Sequence, residues 1–157
     1  LEGTRPILIE IQALVTNANY NAPQRNVTVF NYKRLGMLIA VLEKRMGLAM
    51  GTKDIFVNLV GGLRIDDPAA DLSIISAIAS STMDKYVEKD IVLCGEVGLT
   101  GEVRSISHLN HRITEALSLG FKKAIVPSFG MKEKLKNVDM DLYPVKNVKE
   151  TFKILFQ

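Results

Sequence analysis

Two short segments concentrate the side chains able to do chemistry. Asp66-Asp67-Pro68-Ala69-Ala70-Asp71 packs three carboxylates together, and Ser107-His108-Leu109-Asn110-His111-Arg112 brings a hydroxyl, two imidazoles and a guanidinium. Each reads as the opening of a helix beside a strand, and together they resemble the two halves of a catalytic site. At the two places where such a site needs a nucleophile and its base, the chain has Ala69 and Arg112. Alanine carries nothing that can attack, and a guanidinium stays protonated at physiological pH and cannot act as a base. The frame of an enzyme is present and its chemistry is not.

The remaining reactive groups have plainer readings. Clustered carboxylates can hold a hard cation, but Asp67 is placed to cap a helix whose first residue is Pro68. Acids in a first helical turn are also favoured by the helix dipole, so Asp66, Asp67 and Asp71 read as structural, and one of them is expected to hold Arg112 in an ion pair. His108 and His111 lack a third ligand, so no metal site is expected. Ser73 lies one turn beyond Ala69, a displacement of about 6 Å, too far to replace a nucleophile at Ala69. Cys94, in the apolar run Ile91-Val92-Leu93-Cys94, reads as a small buried hydrophobe, and a single cysteine forms no internal disulfide.

These segments need strands and helices to position them. Arg5 to Val15 alternates, with Ile7, Ile9, Ile11, Ala13 and Val15 on one side, as a half-buried strand does. The asparagine-rich stretch 16–26 reads as an exposed excursion, followed by a short strand over Val27 to Phe30. Leu35, Leu38, Ile39, Leu42 and Met46 predict an amphipathic helix from Tyr32, ended by Gly47. A strand over Ile55 to Val60 precedes a Gly61-Gly62 turn. Leu72, Ile75, Ile78 and Ala79 form the buried stripe of the next helix. Ile91 to Val97 reads as one strand, turned at Gly98–Gly101 into a hairpin arm at 102–104. Ser107 is placed to cap a helix stopped by Gly120. A strand over Ala124 to Val126, a charged helix over Met131 to Lys136, a strand near Leu142 to Val145 and a helix from Val148 to Phe156 complete the series. This alternation predicts one α/β domain over 1–157, an α+β arrangement with a mixed sheet.

Composition sets the outer bounds. The chain of 157 residues is long enough for one substantial core. Lysine and arginine exceed aspartate and glutamate by 20 − 17 = 3, a surplus that permits binding to nucleic acid without requiring it. No apolar run approaches the ~20 residues of a membrane span, so no membrane partner is expected and the setting is read as cytoplasmic. The start at Leu1 suggests a piece of something larger.

Several stretches carry a resemblance. Glu2-Gly3-Thr4-Arg5-Pro6, Glu10 to Val15, Asn58-Leu59-Val60-Gly61-Gly62-Leu63-Arg64-Ile65, Asp67 to Asp71 and Gly95-Glu96-Val97-Gly98-Leu99-Thr100-Gly101-Glu102-Val103-Arg104 resemble the C-terminal Lon-protease-like domain of the bacterial RadA (Sms) family. The resemblance implies the proteolytic-domain fold of Lon. Laid on the Lon pattern, the serine position is Ala69 and the lysine position is Arg112, so no catalytic residue is carried over. It also implies a parent protein with a zinc ribbon and a RecA-like ATPase domain upstream, acting in homologous recombination and DNA repair as a hexameric ring that drives branch migration. Zinc and ATP with magnesium would be held there, and no cofactor is expected in these residues.

Two functions follow as expectations. The first is a non-catalytic module that joins copies into a ring and contacts single-stranded or branched DNA without reading sequence, with the recombinase RecA as a further partner. The cations available for phosphates are Lys33, Arg34, Lys44 and Arg45 on one helix, and Arg104, Arg112, Lys122 and Lys123 in the second half. The alternative is a degenerate Lon-type serine–lysine peptidase with residual activity.

Overall fold

The structure is a computed structural model, and it describes residues 5–19, 22–28, 31–61, 65–129, 135 and 138–157. Two three-stranded sheets flank a central helix. In the first sheet, strand β1 (Ile11–Asn17) alternates as the sequence requires, with Ile11, Ala13 and Val15 turned inward and Gln12, Leu14 and Thr16 exposed. It pairs antiparallel with β3 (Lys53–Leu59), from Ile11 opposite Leu59 to Asn17 opposite Lys53. Strand β2 (Arg25–Val27) lies parallel on the other side of β3. Parallel neighbours need a crossover, and helix α1 (Tyr32–Met46) supplies it.

α1 buries Leu35, Leu38, Ile39, Val41 and Leu42. Asn31 caps it by accepting from the Lys33 amide at 2.9 Å. Gly47 ends it in the left-handed conformation at φ +69, which only glycine adopts freely. The stretch read as an exposed excursion is shorter than expected. β1 runs on to Asn17 and β2 begins at Arg25, because β3 offers backbone partners that override local turn preference. The Ile55 amide donates to Gln24 O at 2.9 Å, and Ala18 N to Thr52 O at 2.9 Å. The ladder also starts later than the predicted strand, at Ile11 rather than Arg5.

A 3-10 turn at Pro68–Ala70 leads into α2 (Asp71–Met83). α2 buries Leu72, Ile74, Ile75, Ile78 and Ala79 on more than one side. That is the pattern of a helix enclosed by its neighbours, and it packs against β1, β3, α1 and the strands β4 (Ile91–Leu93) and β5 (Glu96–Val97). The second sheet is wholly parallel, in the order β4 (Ile91–Leu93), β7 (Lys123–Pro127), β8 (Asp141–Val145). Between β4 and β7 lie the hairpin strands β5 (Glu96–Val97) and β6 (Val103–Arg104), then α3 (Leu109–Ser118). α4 (Val148–Leu155) closes the described fold, capped by Asn147. The predicted helix over 131–136 lies outside the described residues except for Leu135, which is buried.

Two expectations fail here for physical reasons. The strand expected over Ile91 to Val97 is broken at Cys94-Gly95, where the backbone turns toward the helix opening. Gly95 N donates to Ala69 O at 3.0 Å, and Leu72 N to Gly95 O at 3.1 Å. A Cβ at Gly95 would stand 2.7 Å from Val103 Cγ1, so the close approach needs glycine. Ser107 does not cap α3. His108 is the cap residue, at φ +56 and with no side-chain cap bond.

Candidate functional site

The openings of α2 and α3 meet across a cleft of about 1310 Å³. The 3-10 turn is set by Asp67, whose Oδ1 accepts from Ala69 N at 3.0 Å. Its other oxygen accepts from Arg112 Nη2 at 2.7 Å, and Arg112 Nε donates to Ser107 O at 2.9 Å. Arg112 is therefore fixed at both ends of its guanidinium, with its side chain only 15% exposed. Ala69 lies beside this pair, 4% exposed, its carbonyl held by Gly95.

Several of the groups that could have supplied chemistry are otherwise engaged. Burial opposes ionisation of Asp67, but the Ala69 amide and the Arg112 guanidinium outweigh it and hold its carboxyl below the ordinary value. Burial pushes the Cys94 thiol up to about 12, against the pull of Arg112 nearby, so no thiolate forms near neutral pH. Ser73 Oγ donates to Leu93 O at 2.8 Å, which takes its proton into the fold. His108 and His111 stack with ring centroids 5.9 Å apart. Among the described residues no three of His, Cys, Asp and Glu converge as metal ligands do. Neither the Cys94 thiol nor the Ser73 hydroxyl is activated as a nucleophile here.

The Asp67 carboxyl gives a pH prediction. A carboxyl depressed in the folded state contributes stability above its unfolded value and loses it as pH falls through the folded one. Asp67→Asn should cost about 1 kcal/mol at neutral pH, as loss of a partly exposed charge-assisted bond does. The gap between variant and parent should close on acidification. Urea midpoints measured down a pH series check this; a gap that widens toward acid would refute it.

Asp71 is not part of the Arg112 clasp. It is fully buried at the start of α2 and forms a two-pronged pair with Arg34 of α1, Nε to Oδ1 at 2.5 Å and Nη2 to Oδ2. The Val97 amide also donates to Oδ2, at 3.0 Å. Burial pushes the Asp71 carboxyl up, and Arg34 with the Val97 amide pulls it back; in turn Asp71 raises Arg34. No local signal announced this pair, whose members stand 37 residues apart in the chain.

The eight cations named for DNA therefore separate. Arg34 is bound to Asp71, Arg112 to Asp67, Arg104 to Glu102 and Glu96, and Lys123 to Glu88. Lys33, Lys44, Arg45 and Lys122 are exposed and have no ion pair among the described residues. Lys33 and Lys44 are three helical turns apart on α1 and share a face, with Arg45 next to them. Arg45 Nε donates to Leu99 O at 3.4 Å. No helix among the described residues is long and apolar enough to cross a membrane.

Known proteins are similar to this sequence over nearly its whole length. The chain is 42% identical over 155 residues to the DNA repair protein RadA of Aquifex aeolicus, covering 99% of this chain and 34% of that protein. It is 42% identical over 153 residues to RadA of Bacillus subtilis, and 40% over 153 residues to RadA of Escherichia coli, in each case 98% of this chain and 33% of the relative. It spans about a third of the length of these curated relatives. The Lon protease (S16) C-terminal proteolytic domain matches residues 44–157, which take in both helix openings and the cleft lining apart from Pro6 to Ile11. The chain belongs to the Lon protease C-terminal proteolytic domain family.

Proposed function

We propose that this domain holds and does not cut: a non-catalytic assembly and DNA-binding module of a RecA-like, ATP-dependent repair protein. The observation that carries the reading is the Asp67–Arg112 pair beside buried Ala69. Ala69 stands in the serine position with no hydroxyl to activate, and Arg112, held by Asp67, stands in the lysine position as a permanent cation that cannot serve as the base. Similarity to DNA repair proteins named RadA supports the repair setting. The parent would hold zinc and ATP with magnesium in other residues, and would act as a homo-hexameric ring on single-stranded or branched DNA, alongside the recombinase RecA.

Lys33, Lys44 and Arg45 are the cations best placed to meet phosphates. Arg34 leaves that set, because its charge is committed to Asp71. Binding should be independent of sequence, weak in the isolated domain, and strengthened when copies assemble. The test has two arms. A peptidase assay compares the unaltered chain with Ala69→Ser and Ala69→Ser/Arg112→Lys, and turnover by the unaltered chain would reject the reading. DNA affinity is then measured across a salt series for the chain and for Lys33→Gln/Lys44→Gln/Arg45→Gln. The variant's log–log slope should be shallower by about 0.9 for each phosphate that it no longer neutralises; an unchanged slope would remove these residues from the interface.

A further inference from the structure

We infer that the turn of the β5–β6 hairpin is a wedge for forked DNA, with Leu99 set against the last base pair and cations from α1 and the start of α4 holding the phosphates beside it. This rests on the DNA-binding reading above, and extends it to a substrate class and to residues outside α1. The turn is rigidly mounted. Gly101 N donates to Gly98 O at 3.0 Å, Gly98 N to Glu102 O at 3.0 Å, and Thr100 N to Glu102 Oε2 at 3.1 Å. Two helices grip it. At the start of α4, Val148 N donates to Gly101 O at 2.9 Å, and just before that helix Lys146 O accepts from Val103 N at 2.8 Å. At the end of α1, Arg45 Nε donates to Leu99 O, and a Cβ added at Gly101 would stand 3.6 Å from Arg45 Cβ and Cγ.

Leu99 stands in the middle of this turn, 65% exposed and outside both apolar clusters of the described residues. Turn positions ordinarily go to glycine, proline or short polar residues, for backbone reasons that leucine does not share. A lone exposed leucine is common on protein surfaces. What distinguishes this one is its fixed mount and its charged surround.

Lys44 and Arg45 at the end of α1, Lys146, and Lys149 in the first turn of α4 are exposed and enter no ion pair among the described residues. The carboxylates nearby are committed to the fold. Glu43 accepts from Met50 N at 3.0 Å, Glu150 from Lys146 N at 2.7 Å, and Glu102 from Thr100 N and from Arg104 Nη2 at 2.6 Å. An apolar side chain among cations is the combination with which DNA-bending proteins part base steps, the apolar group entering the stack while the cations hold the backbone. Unstacking costs least where a base is already unpaired on one side, so a fork suits this turn better than continuous duplex. A leucine offers no hydrogen bond to a base edge, so the contact is blind to sequence. An anionic lipid surface fits less well, since a whole acyl chain gives only marginal anchoring and one leucine buries less.

The test uses the 157-residue chain with three DNAs: a fork carrying 2-aminopurine at its last paired position, a blunt duplex and a single strand. Affinity for the fork should exceed that for the blunt duplex by about fivefold, near the low end of what one base-stacking contact supplies. The 2-aminopurine fluorescence should rise as its base is unstacked. Leu99→Ala should abolish the preference and the rise while keeping single-strand affinity, and Leu99→Phe should keep both. Lys146→Gln/Lys149→Gln should make the log–log salt slope shallower by about 0.9 for each duplex phosphate no longer neutralised. All three positions are exposed, so circular dichroism should stay native. Equal affinity for fork and duplex, or a fluorescence rise that survives Leu99→Ala, would overturn the wedge. So would a Leu99→Ala variant whose mass in solution changes, which would make the turn a contact between copies. Phosphatidylglycerol vesicles that bind through Leu99 while the fork does not would assign it to a membrane instead. Loss of the preference with DNA binding retained sinks the wedge alone, whereas failure to bind any of the three DNAs sinks the DNA-binding reading with it.

Discussion

Arg34→Ala is expected to destabilise the domain by about 3–5 kcal/mol, the usual cost of stripping one partner from a buried ion pair. Asp71 has no exposed surface, so without Arg34 it would keep, among the described residues, the Val97 amide as its one side-chain donor. For a chain of this size that corresponds to a fall in melting temperature of roughly 6–20 °C. The sign of the pH dependence follows from Asp71. With Arg34 gone, burial leaves its carboxyl raised above the unfolded value, so the folded variant binds its proton more tightly than the unfolded chain does. The stability that remains is fullest below the unfolded value and is lost as pH rises through the folded one. Replacing both members with apolar residues of similar volume should cost far less than removing Arg34 alone. Urea denaturation of the single and paired variants is the check; a drop in stability under about 1 kcal/mol for Arg34→Ala would mean that water reaches Asp71. The experiment also protects the DNA reading from error, since a fall in DNA affinity in Arg34→Ala would reflect unfolding and not a missing phosphate contact.

Leu72→Ala should cost about 3 kcal/mol. Leu72 is fully buried at the start of α2, and its amide donates to Gly95 O. Its Cδ2 lies 3.4 Å from where a Gly95 Cβ would stand. Truncation removes packing where α2 and the Cys94-Gly95 break hold the cleft open, and the cavity cannot collapse while Gly95 stays bound to Ala69. Gly95→Ala should be destabilising for the opposite reason, by roughly 1–3 kcal/mol, as overpacking is. Val103 Cγ1 at 2.7 Å must move to admit the methyl group. Because the two positions share one space, the double variant should lose less than the sum of the singles. Strict additivity in urea midpoints would show that Val103 alone sets the limit at Gly95.

Much of this arrangement was legible because it is written at short range. The alternation of Ile11, Ala13 and Val15 and the apolar spacing of α1 specify their elements whatever surrounds them. Asp67 before Pro68 and Gly47 after Met46 likewise mark boundaries through local bonds and backbone conformation. The Gly98–Gly101 hairpin also appears where its turn residues place it, with Glu96 opposite Arg104. Two of the misplaced boundaries share one cause. Where a distant strand or helix supplies hydrogen bonds, as β3 does for Gln24 and Ala69 does for Gly95, the local preference yields.

The sequence by itself determined that Ala69 brings no nucleophile and Arg112 no neutral base, because the identity of a side chain settles which reactions it can support before any folding. Only the tertiary structure decided what the remaining charges do. Asp71 went to Arg34 and not to Arg112, four of the eight proposed DNA cations were drawn into ion pairs, and Ser76 was left buried without a partner among the described residues. The reason is that charges pair by distance in space, and residues separated by 37 or 45 positions become neighbours only when the helices carrying them pack.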